Sequence, residues 1–206
     1  MQAEKLLLAV GRKPMTDGCG LEKSKAQMER GFVHVGPHME TAEPSLFAIG
    51  DIVVGLPQLA HAAMMEGIAA VTHIAGKNPP AIVKTRIPNA TYCEPQIGSI
   101  GLTEKQAKDA GHAVKTGKFP FVGNSKATIL GNHGGFIKVV SDEKYGEVLG
   151  IHIIGPLATE ILSEAAAVLH LEGTVDDMMS MMHAHPTVWE GMGDAFASVR
   201  GLQINV

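Results

Sequence analysis

The amino-acid sequence predicts an α+β fold in which helices pack on one antiparallel sheet. The 206 residues are 45% apolar and 18% charged, which is enough to bury a sizeable core. Strand-like segments fill most of residues 86–154 and helix-like segments follow them, an order typical of segregated strands and helices. Two of the strand-like segments, residues 135–140 and 148–154, are separated by a short turn, as in an antiparallel hairpin.

Two apolar segments stand out near the start of the chain. Residues 6–10 are too short for a membrane span and are not followed by a cleavage site of small residues, so we interpret them as a buried strand rather than a signal peptide. Residues 46–49 are predicted to form a short strand that stops at Gly50 and Asp51. A carboxylate at the end of a strand is a common ligand position in doubly wound sheets.

A helix is predicted over residues 59–75, where apolar residues recur at helical spacing. Gly76 follows as a cap, and two prolines lie shortly beyond it. The prolines coincide with a change of pattern, so we place a domain boundary between residues 78 and 84.

Beyond this boundary the pattern changes to a series of strands and turns. Thr103 is a typical N-cap for a short helix that runs to Gly111. Acidic side chains in the first turn favour two later helices. The predicted strands are residues 86–93, 95–102, 114–121, 135–140 and 148–154, and the predicted later helices are residues 158–171 and 174–181.

The composition argues against several classes of partner. The formal net charge is −4 and no run rich in lysine and arginine occurs, so nucleic acid is not expected as a partner. The apolar runs stop well before the roughly 18 residues of a membrane span, so no membrane partner is expected. Cys19 and Cys93 form no paired motif, which disfavours a disulfide framework or a zinc site and favours a cytoplasmic protein.

The clearest chemical signal is in residues 183–190, which place two imidazoles, a proline and a carboxylate within eight residues. The proline restricts the backbone of His185 to extended angles, so the ring is held in place. If a helix starts between them, Glu190 can accept a hydrogen bond from one ring nitrogen and leave the other for proton exchange. This spacing indicates an acid–base dyad of His185 and Glu190.

Two other interpretations of this segment stay open on the residues alone. His183 and His185 are also typical of polar side chains where a loop meets a helix, with Thr187 as the N-cap. A metal site is the weaker interpretation, because two histidines on alternate residues can bind zinc but no third or fourth ligand is clustered with them. We therefore expect no metal.

A second candidate site combines Gly50 and Asp51 with residues 59–61 at the start of the predicted helix. Gly50 allows a ligand to approach the backbone, and Asp51 can accept a hydrogen bond from a sugar hydroxyl. Free N–H groups at a helix start favour an anionic or electron-rich group. A strand followed by Gly-Asp is also a common structural pattern, so the residues alone leave a purely structural role open.

Several short motifs occur in the order and spacing of one protein family. By these motifs the chain resembles the carboxyl-terminal part of the pyridine nucleotide-disulfide oxidoreductases, most closely the dihydrolipoamide dehydrogenase branch. The resemblance covers nearly the whole chain. The motifs that carry it are residues 10–14, 46–51, 58–61, 93–95, 101–104, 124–127, 150–155 and 183–190.

The resemblance implies a division of the chain into three parts. Residues 1–14 correspond to the end of an NAD-binding domain, and residues 15–84 to the carboxyl-terminal part of an FAD-binding domain. These two parts are remnants of Rossmann-like domains. Residues 85–206 correspond to an interface domain, which implies an antiparallel sheet with packed helices and a homodimer.

The resemblance also implies roles for individual residues. Gly11 lies against the nicotinamide nucleotide, and Asp51 binds the ribityl chain of the flavin. His185 is the acid–base residue, oriented by Glu190, and acts on the disulfide and flavin of the other subunit. The remaining flavin-binding positions are Gly50, Gln58, Leu59, Ala60 and His61.

The implied activity is the oxidation of dihydrolipoamide with NAD, with FAD as cofactor and the lipoyl group of a 2-oxo acid dehydrogenase complex as partner. The family's amino-terminal flavin fingerprint, its C-x-x-x-x-C redox pair and its nicotinamide-binding glycine loop have no counterpart in this sequence. We therefore expect the chain by itself to retain no cofactor and to be inactive.

Two departures from this assignment stay open. The first concerns the branch of the family. The substrate is chosen largely by residues outside this chain, so a glutathione reductase or a mercuric reductase is an alternative. Mercuric reductases usually end in a vicinal cysteine pair, which this chain lacks. The second alternative is a dimerisation module without catalysis.

One residue of the dyad segment departs from the family pattern. The bulky Trp189 stands where the family usually has a small residue.

Overall fold

In the computed structural model, which describes residues 2–205, the chain divides after Lys84 into two units. The first unit, residues 1–84, has a small apolar core. The second unit, residues 85–206, contains the main sheet and the larger core. Among the described helices, none combines the length and the apolar character needed to cross a membrane.

The first unit contains a short hairpin, two 3-10 turns and one long helix. β1 (Met28–Glu29) pairs antiparallel with β2 (Phe32–Val33), and the 3-10 turns are Leu21–Lys23 and Gly50–Ile52. α1 (Ala60–Ile74) confirms the predicted helix, and Gly76 beyond it has a φ of 74°, a left-handed conformation that favours glycine. The residues of the second candidate site lie in the Gly50–Ile52 turn and at the start of α1.

Two predicted strands of the first unit are wrong. Residues 6–10 form no strand, and their apolar side chains are largely exposed, Val10 by 96%. Residues 46–49 form no strand either, since only Phe47 makes an isolated bridge, to Glu40. A strand needs a neighbour to take up its N–H and C=O groups, and no ladder runs beside these segments in residues 2–205.

The second unit is built on one antiparallel sheet, which confirms the predicted α+β class. The strand order is β3-β4-β7-β6-β5, and the pairing of β6 with β7 confirms the predicted hairpin. The strands are β3 (Asn89–Thr91), β4 (Gln96–Gly101), β5 (Val114–Pro120), β6 (Phe136–Asp142) and β7 (Val148–Gly155). The helices are α2 (Glu104–Asp109), α3 (Ser125–Ile129), α4 (Ala158–His170), α5 (Val175–Met179) and α6 (Glu190–Arg200).

One face of this sheet is buried beneath α4 and α6. The alternation of each strand places its inward side chains in the core, as with Ile137 and Val139 on β6. Glycine lets α6 lie directly on β5: a Cβ added at Gly117 would lie 2.5 Å from the Ala195 carbonyl oxygen and 2.6 Å from the Val199 nitrogen. The sheet therefore fixes the position of α6, whose first residue is Glu190.

The helix predictions were partly confirmed. Thr103 caps α2 through a capping box with Gln106, as predicted. α3 and α6 were not among the predicted helices. Gly191 and Gly193 lower the helix propensity of α6, but its apolar side is fully buried, and this tertiary packing outweighs the propensity.

Candidate functional site

The segment between α5 and α6 carries the residues of the first candidate site. Val188 is buried and Trp189 packs against the same core cluster, so the segment is anchored just before α6 begins. Trp189 is the N-cap of α6, so the alternative with Thr187 as N-cap is wrong. The Thr187 hydroxyl instead donates to the Ala184 carbonyl, at 2.7 Å.

His185 and Glu190 are in direct contact. The distance from His185 Nδ1 to Glu190 Oε1 is 2.8 Å, and the Thr187 N–H donates to the other carboxylate oxygen, also at 2.8 Å. Burial by itself raises the pKa of Glu190, but the hydrogen bonds from Thr187 and His185 outweigh it and lower that pKa below its usual value. Glu190 is therefore ionised at neutral pH and acts only as an acceptor.

This arrangement decides which nitrogen of the neutral His185 ring carries the proton. Because an ionised carboxylate accepts hydrogen bonds, Nδ1 carries the proton and Nε2 has the free lone pair. The side chain of His185 is 71% exposed, whereas that of Glu190 is 21% exposed. The dyad thus offers a basic nitrogen to the surface while its orienting carboxylate stays mostly covered.

A cleft surrounds the dyad. The Asn124 side chain connects the start of α3 with the segment before α6. It caps α3 by accepting from the Ala127 N–H, and it donates to the Thr187 carbonyl at 3.1 Å. Asn124 was predicted only as part of the motif at residues 124–127. Asp194 was not predicted as a site residue, although it is one helical turn after Glu190. The residues that line the cleft are Gly123, Asn124, Ser125, His185, Glu190, Asp194 and Asn205.

His183 belongs to a separate pair. Its Nε2 lies 3.0 Å from Glu164 Oε1, and the two side chains are 9% and 15% exposed. The hydrogen bond to Glu164 raises the pKa of His183 above its usual value against the effect of burial, and the charges of Glu190 and Asp194 add to the rise. The two histidines therefore bind different carboxylates, and no group of three possible metal ligands occurs in the described residues.

Glu164→Gln is expected to destabilise the protein by about 2 kcal/mol near pH 6, because it removes the charged partner of a mostly buried imidazolium. The folded pKa of His183 is raised, so the pair's stabilisation is complete below the unfolded pKa and is lost as the pH rises through the folded pKa. The difference between variant and wild type should therefore shrink in alkaline solution. Denaturant unfolding at several pH values measures it.

Glu160→Gln is the matched control, since Glu160 is exposed and lies one turn earlier on the same helix. It should lower the free energy of unfolding by no more than about 0.5 kcal/mol, through the lost interaction with the helix dipole, and this difference should not shrink in alkaline solution. A Glu164→Gln difference that grew with pH would contradict the assignment of a protonated His183.

The second candidate site lies in the first unit, where the structure brings Asp51 and Gln58 together. The Gln58 amide donates to the Asp51 carbonyl at 3.1 Å, and Arg12 approaches the Asp51 carboxylate at 3.3 Å. Arg12 also donates to the Gln58 carbonyl. Leu59 is the N-cap of α1 and makes no side-chain cap. The Asp51 carboxylate is half-exposed, and the turn that contains Asp51 contacts α1.

Gly50 is held by a buried acid that the sequence analysis missed. The Gly50 N–H donates to Glu66 Oε2 at 2.6 Å, and Glu66 is fully buried on α1. Its other oxygen, Oε1, has no hydrogen-bond partner within residues 2–205. A buried carboxyl oxygen without a hydrogen-bond partner is costly, and the hydrogen bond from the Gly50 N–H offsets only part of that cost.

The remaining predicted residues are exposed. Ala60 and His61 are exposed in the first turn of α1. Gly11 is exposed, and a Cβ added there would meet nothing within 4 Å, so the described residues form no cradle around it. Cys19 and Cys93 are free, exposed thiols.

The chain matches two family models. Residues 87–196 match the pyridine nucleotide-disulphide oxidoreductase dimerisation domain, and residues 1–67 match the pyridine nucleotide-disulphide oxidoreductase model. The first match alone covers more than half of the chain.

Curated relatives and solved structures agree with this match. The chain is 42% identical to a dihydrolipoyl dehydrogenase of Bacillus subtilis over 98% of its own length and 43% of the relative's. It is 43% identical to a dihydrolipoyl dehydrogenase of Thermus scotoductus, over 98% and 44% of the two lengths. The chain thus spans less than half the length of these relatives.

Among solved structures, LpdA from Mycobacterium tuberculosis superposes with a TM-score of 0.83 at 26% identity, over 89% of this chain and 40% of the other. The flavoprotein disulfide reductase RclA from Escherichia coli shares the fold, with a TM-score of 0.81 at 21% identity over 92% and 44% of the two chains. The family matches, supported by the relatives and the shared fold, show that this chain belongs to the pyridine nucleotide-disulphide oxidoreductases and contains their dimerisation domain.

Proposed function

We propose that this chain supplies the carboxyl-terminal part of a flavoprotein that oxidises dihydrolipoamide with NAD. The observation that carries the proposal is the His185–Glu190 contact of 2.8 Å, with the imidazole exposed at the surface of a dimerisation domain. The names of its relatives, dihydrolipoyl dehydrogenases, favour this substrate over other thiols.

His185 acts as the base towards a dihydrolipoyl thiol in this proposal. Its Nε2 takes the S–H proton, and the resulting thiolate attacks one sulfur of a redox disulfide. A new S–S bond forms, the old one breaks, and the second sulfur leaves as a thiolate. Glu190 stabilises the imidazolium through Nδ1 while the proton is held.

The disulfide in this step belongs to residues other than Cys19 and Cys93, which are both free and exposed. We place it in the second subunit of a homodimer, because His185 lies in a dimerisation domain. Met182, next to the His183 pair, is 94% exposed, and Met181 is partly exposed. Apolar side chains in such a position are typical of an interface between subunits.

The first unit has polar groups that are suited to holding a flavin. The half-exposed Asp51 carboxylate would accept hydrogen bonds from ribityl hydroxyls, and the N-terminus of α1 at Leu59 and Ala60 would favour an electron-rich group. Glu66 holds Gly50 in the turn beside them. A bound flavin supplies two-electron transfer between a thiol pair and NAD, and Gly11 is assigned to the nicotinamide nucleotide by resemblance alone.

A chimaera tests this proposal. This chain replaces the matching 43% of the Bacillus subtilis dihydrolipoyl dehydrogenase, to which it is 42% identical. We expect a flavin-containing dimer that reduces NAD with dihydrolipoamide. Sedimentation analysis, the flavin spectrum and NADH formation measure these properties.

The alternative without catalysis gives a different result with the same protein. A dimer with bound flavin and no thiol oxidation would make the chain a dimerisation module without catalysis.

A further inference from the structure

The end of the chain returns to the cleft around His185. α6 stops at Gly201, whose φ of 71° is left-handed, and the Leu202 N–H donates to the Ala197 carbonyl at 3.0 Å. This cap reverses the direction of the backbone. Residues 201–205, the terminal segment, therefore run back along α6 and reach Asp194.

Asp194 holds the terminal segment with three hydrogen bonds. Its Oδ1 accepts from the Ile204 N–H at 3.0 Å and from the Asn205 N–H at 3.3 Å. Its Oδ2 accepts from Asn205 Nδ2 at 2.9 Å. Asp194 itself is buried, and hydrogen bonds to an ionised carboxylate are stronger than those between neutral groups.

Apolar packing does not explain how the terminal segment is held. Leu202 is 62% exposed and Ile204 is 88% exposed, so neither side chain is buried in the core. The bonds to Asp194 are therefore the main attachment of residues 204–205 within the described chain.

The attachment places Asn205 in the cleft of the dyad. His185, Glu190, Asp194 and Asn205 all line this cleft, and Glu190 and Asp194 are one turn apart on α6. We infer that Asp194 is a positioning residue that holds the terminal segment as one wall of the approach to His185. The inference rests on the proposed role of His185, because it makes the wall part of the path of a thiol substrate.

The role assigned to Asp194 differs from that of Glu190. Glu190 bonds to the His185 ring and orients it, whereas the hydrogen bonds of Asp194 go to the terminal segment. Loss of Asp194 should therefore alter how a thiol substrate is held in the cleft while leaving the His185–Glu190 contact in place. In kinetic terms the effect falls on KM more than on kcat.

Asp194→Asn, in the chain as it is, tests the attachment. The substitution keeps the volume but replaces one acceptor oxygen with an NH₂ group, which faces a donor of the terminal segment. We expect amide hydrogen exchange at Ile204 and Asn205 to become about tenfold faster or more. Asp109→Asn, at an exposed residue paired with Lys105, is the matched control and should leave these two amides unchanged.

The same variant tests the wall. A neutral gadolinium chelate added to the solution should relax the Ser125 amide and the His185 ring signals more strongly in Asp194→Asn than in wild type. Asn205→Ala removes the Nδ2 bond and the part of the wall that the Asn205 side chain forms, but it keeps both backbone bonds to Asp194. It should give a change of the same kind in a variant whose Asp194 is intact, which guards against a fold defect in the first variant. In the chimaera, Asp194→Asn should raise KM for dihydrolipoamide several-fold with kcat nearly unchanged.

Each result has a separate meaning. Unchanged exchange at Ile204 and Asn205 would overturn the attachment. Faster exchange with unchanged relaxation at Ser125 and His185 would overturn the wall. If both NMR changes appear and the wild-type chimaera does not oxidise dihydrolipoamide, the terminal segment has the inferred structure and the proposed function is the part that fails.

Discussion

His185→Gln in the chimaera is expected to lower the rate of dihydrolipoamide oxidation by about 10²-fold or more, the range for loss of a positioned acid–base group. Glutamine keeps a polar side chain but cannot take a proton from a thiol at neutral pH. The exposed position of His185 means that the substitution removes little packing, so the fold and the flavin content should be retained. NADH formation and the flavin spectrum measure the two properties separately.

His133→Gln is the matched control for this substitution, because His133 is also exposed and lies between α3 and β6 in the same unit. It should leave the rate close to that of wild type. Glu190→Gln keeps the shape of the acid but removes its charge, so it should retain part of the activity and change the NMR shift of the Nδ1 proton. A His185→Gln chimaera as active as the unsubstituted chimaera would contradict the proposed catalytic role of His185.

Gly117→Ala is expected to have the largest effect on stability, a loss of about 2–3 kcal/mol in the free energy of unfolding. The added methyl would lie 2.5 Å from the Ala195 carbonyl oxygen and 2.6 Å from the Val199 nitrogen. Both are backbone atoms of α6, so no side-chain rotation can relieve the clash. The helix must move away from β5, and Glu190 at its first turn moves with it.

Thr116→Ala separates this effect from a general effect on β5. Thr116 is exposed and precedes Gly117, so its side chain points to the other face of the sheet. It should cost well under half as much as Gly117→Ala in denaturant unfolding. Equal stability of Gly117→Ala and wild type would show that α6 does not depend on this close approach.

Local features of the fold were largely predictable from the sequence. The apolar period of residues 59–75, the N-cap at Thr103 and the short turn between β6 and β7 depend on neighbours in the chain. The strands expected at residues 6–10 and 46–49 failed for the opposite reason, because a strand forms only beside another strand. A short apolar run carries no information about that partner.

The His185–Glu190 contact could be predicted from the order of residues, because five residues across a helix start bring the two side chains within reach. The contact of His183 with Glu164, 19 residues earlier, and the return of the terminal segment to Asp194 could not be predicted in this way. The spacing acts through local backbone geometry. The other contacts depend on where α4 and α6 lie on the sheet, which the cooperative packing of the whole core decides.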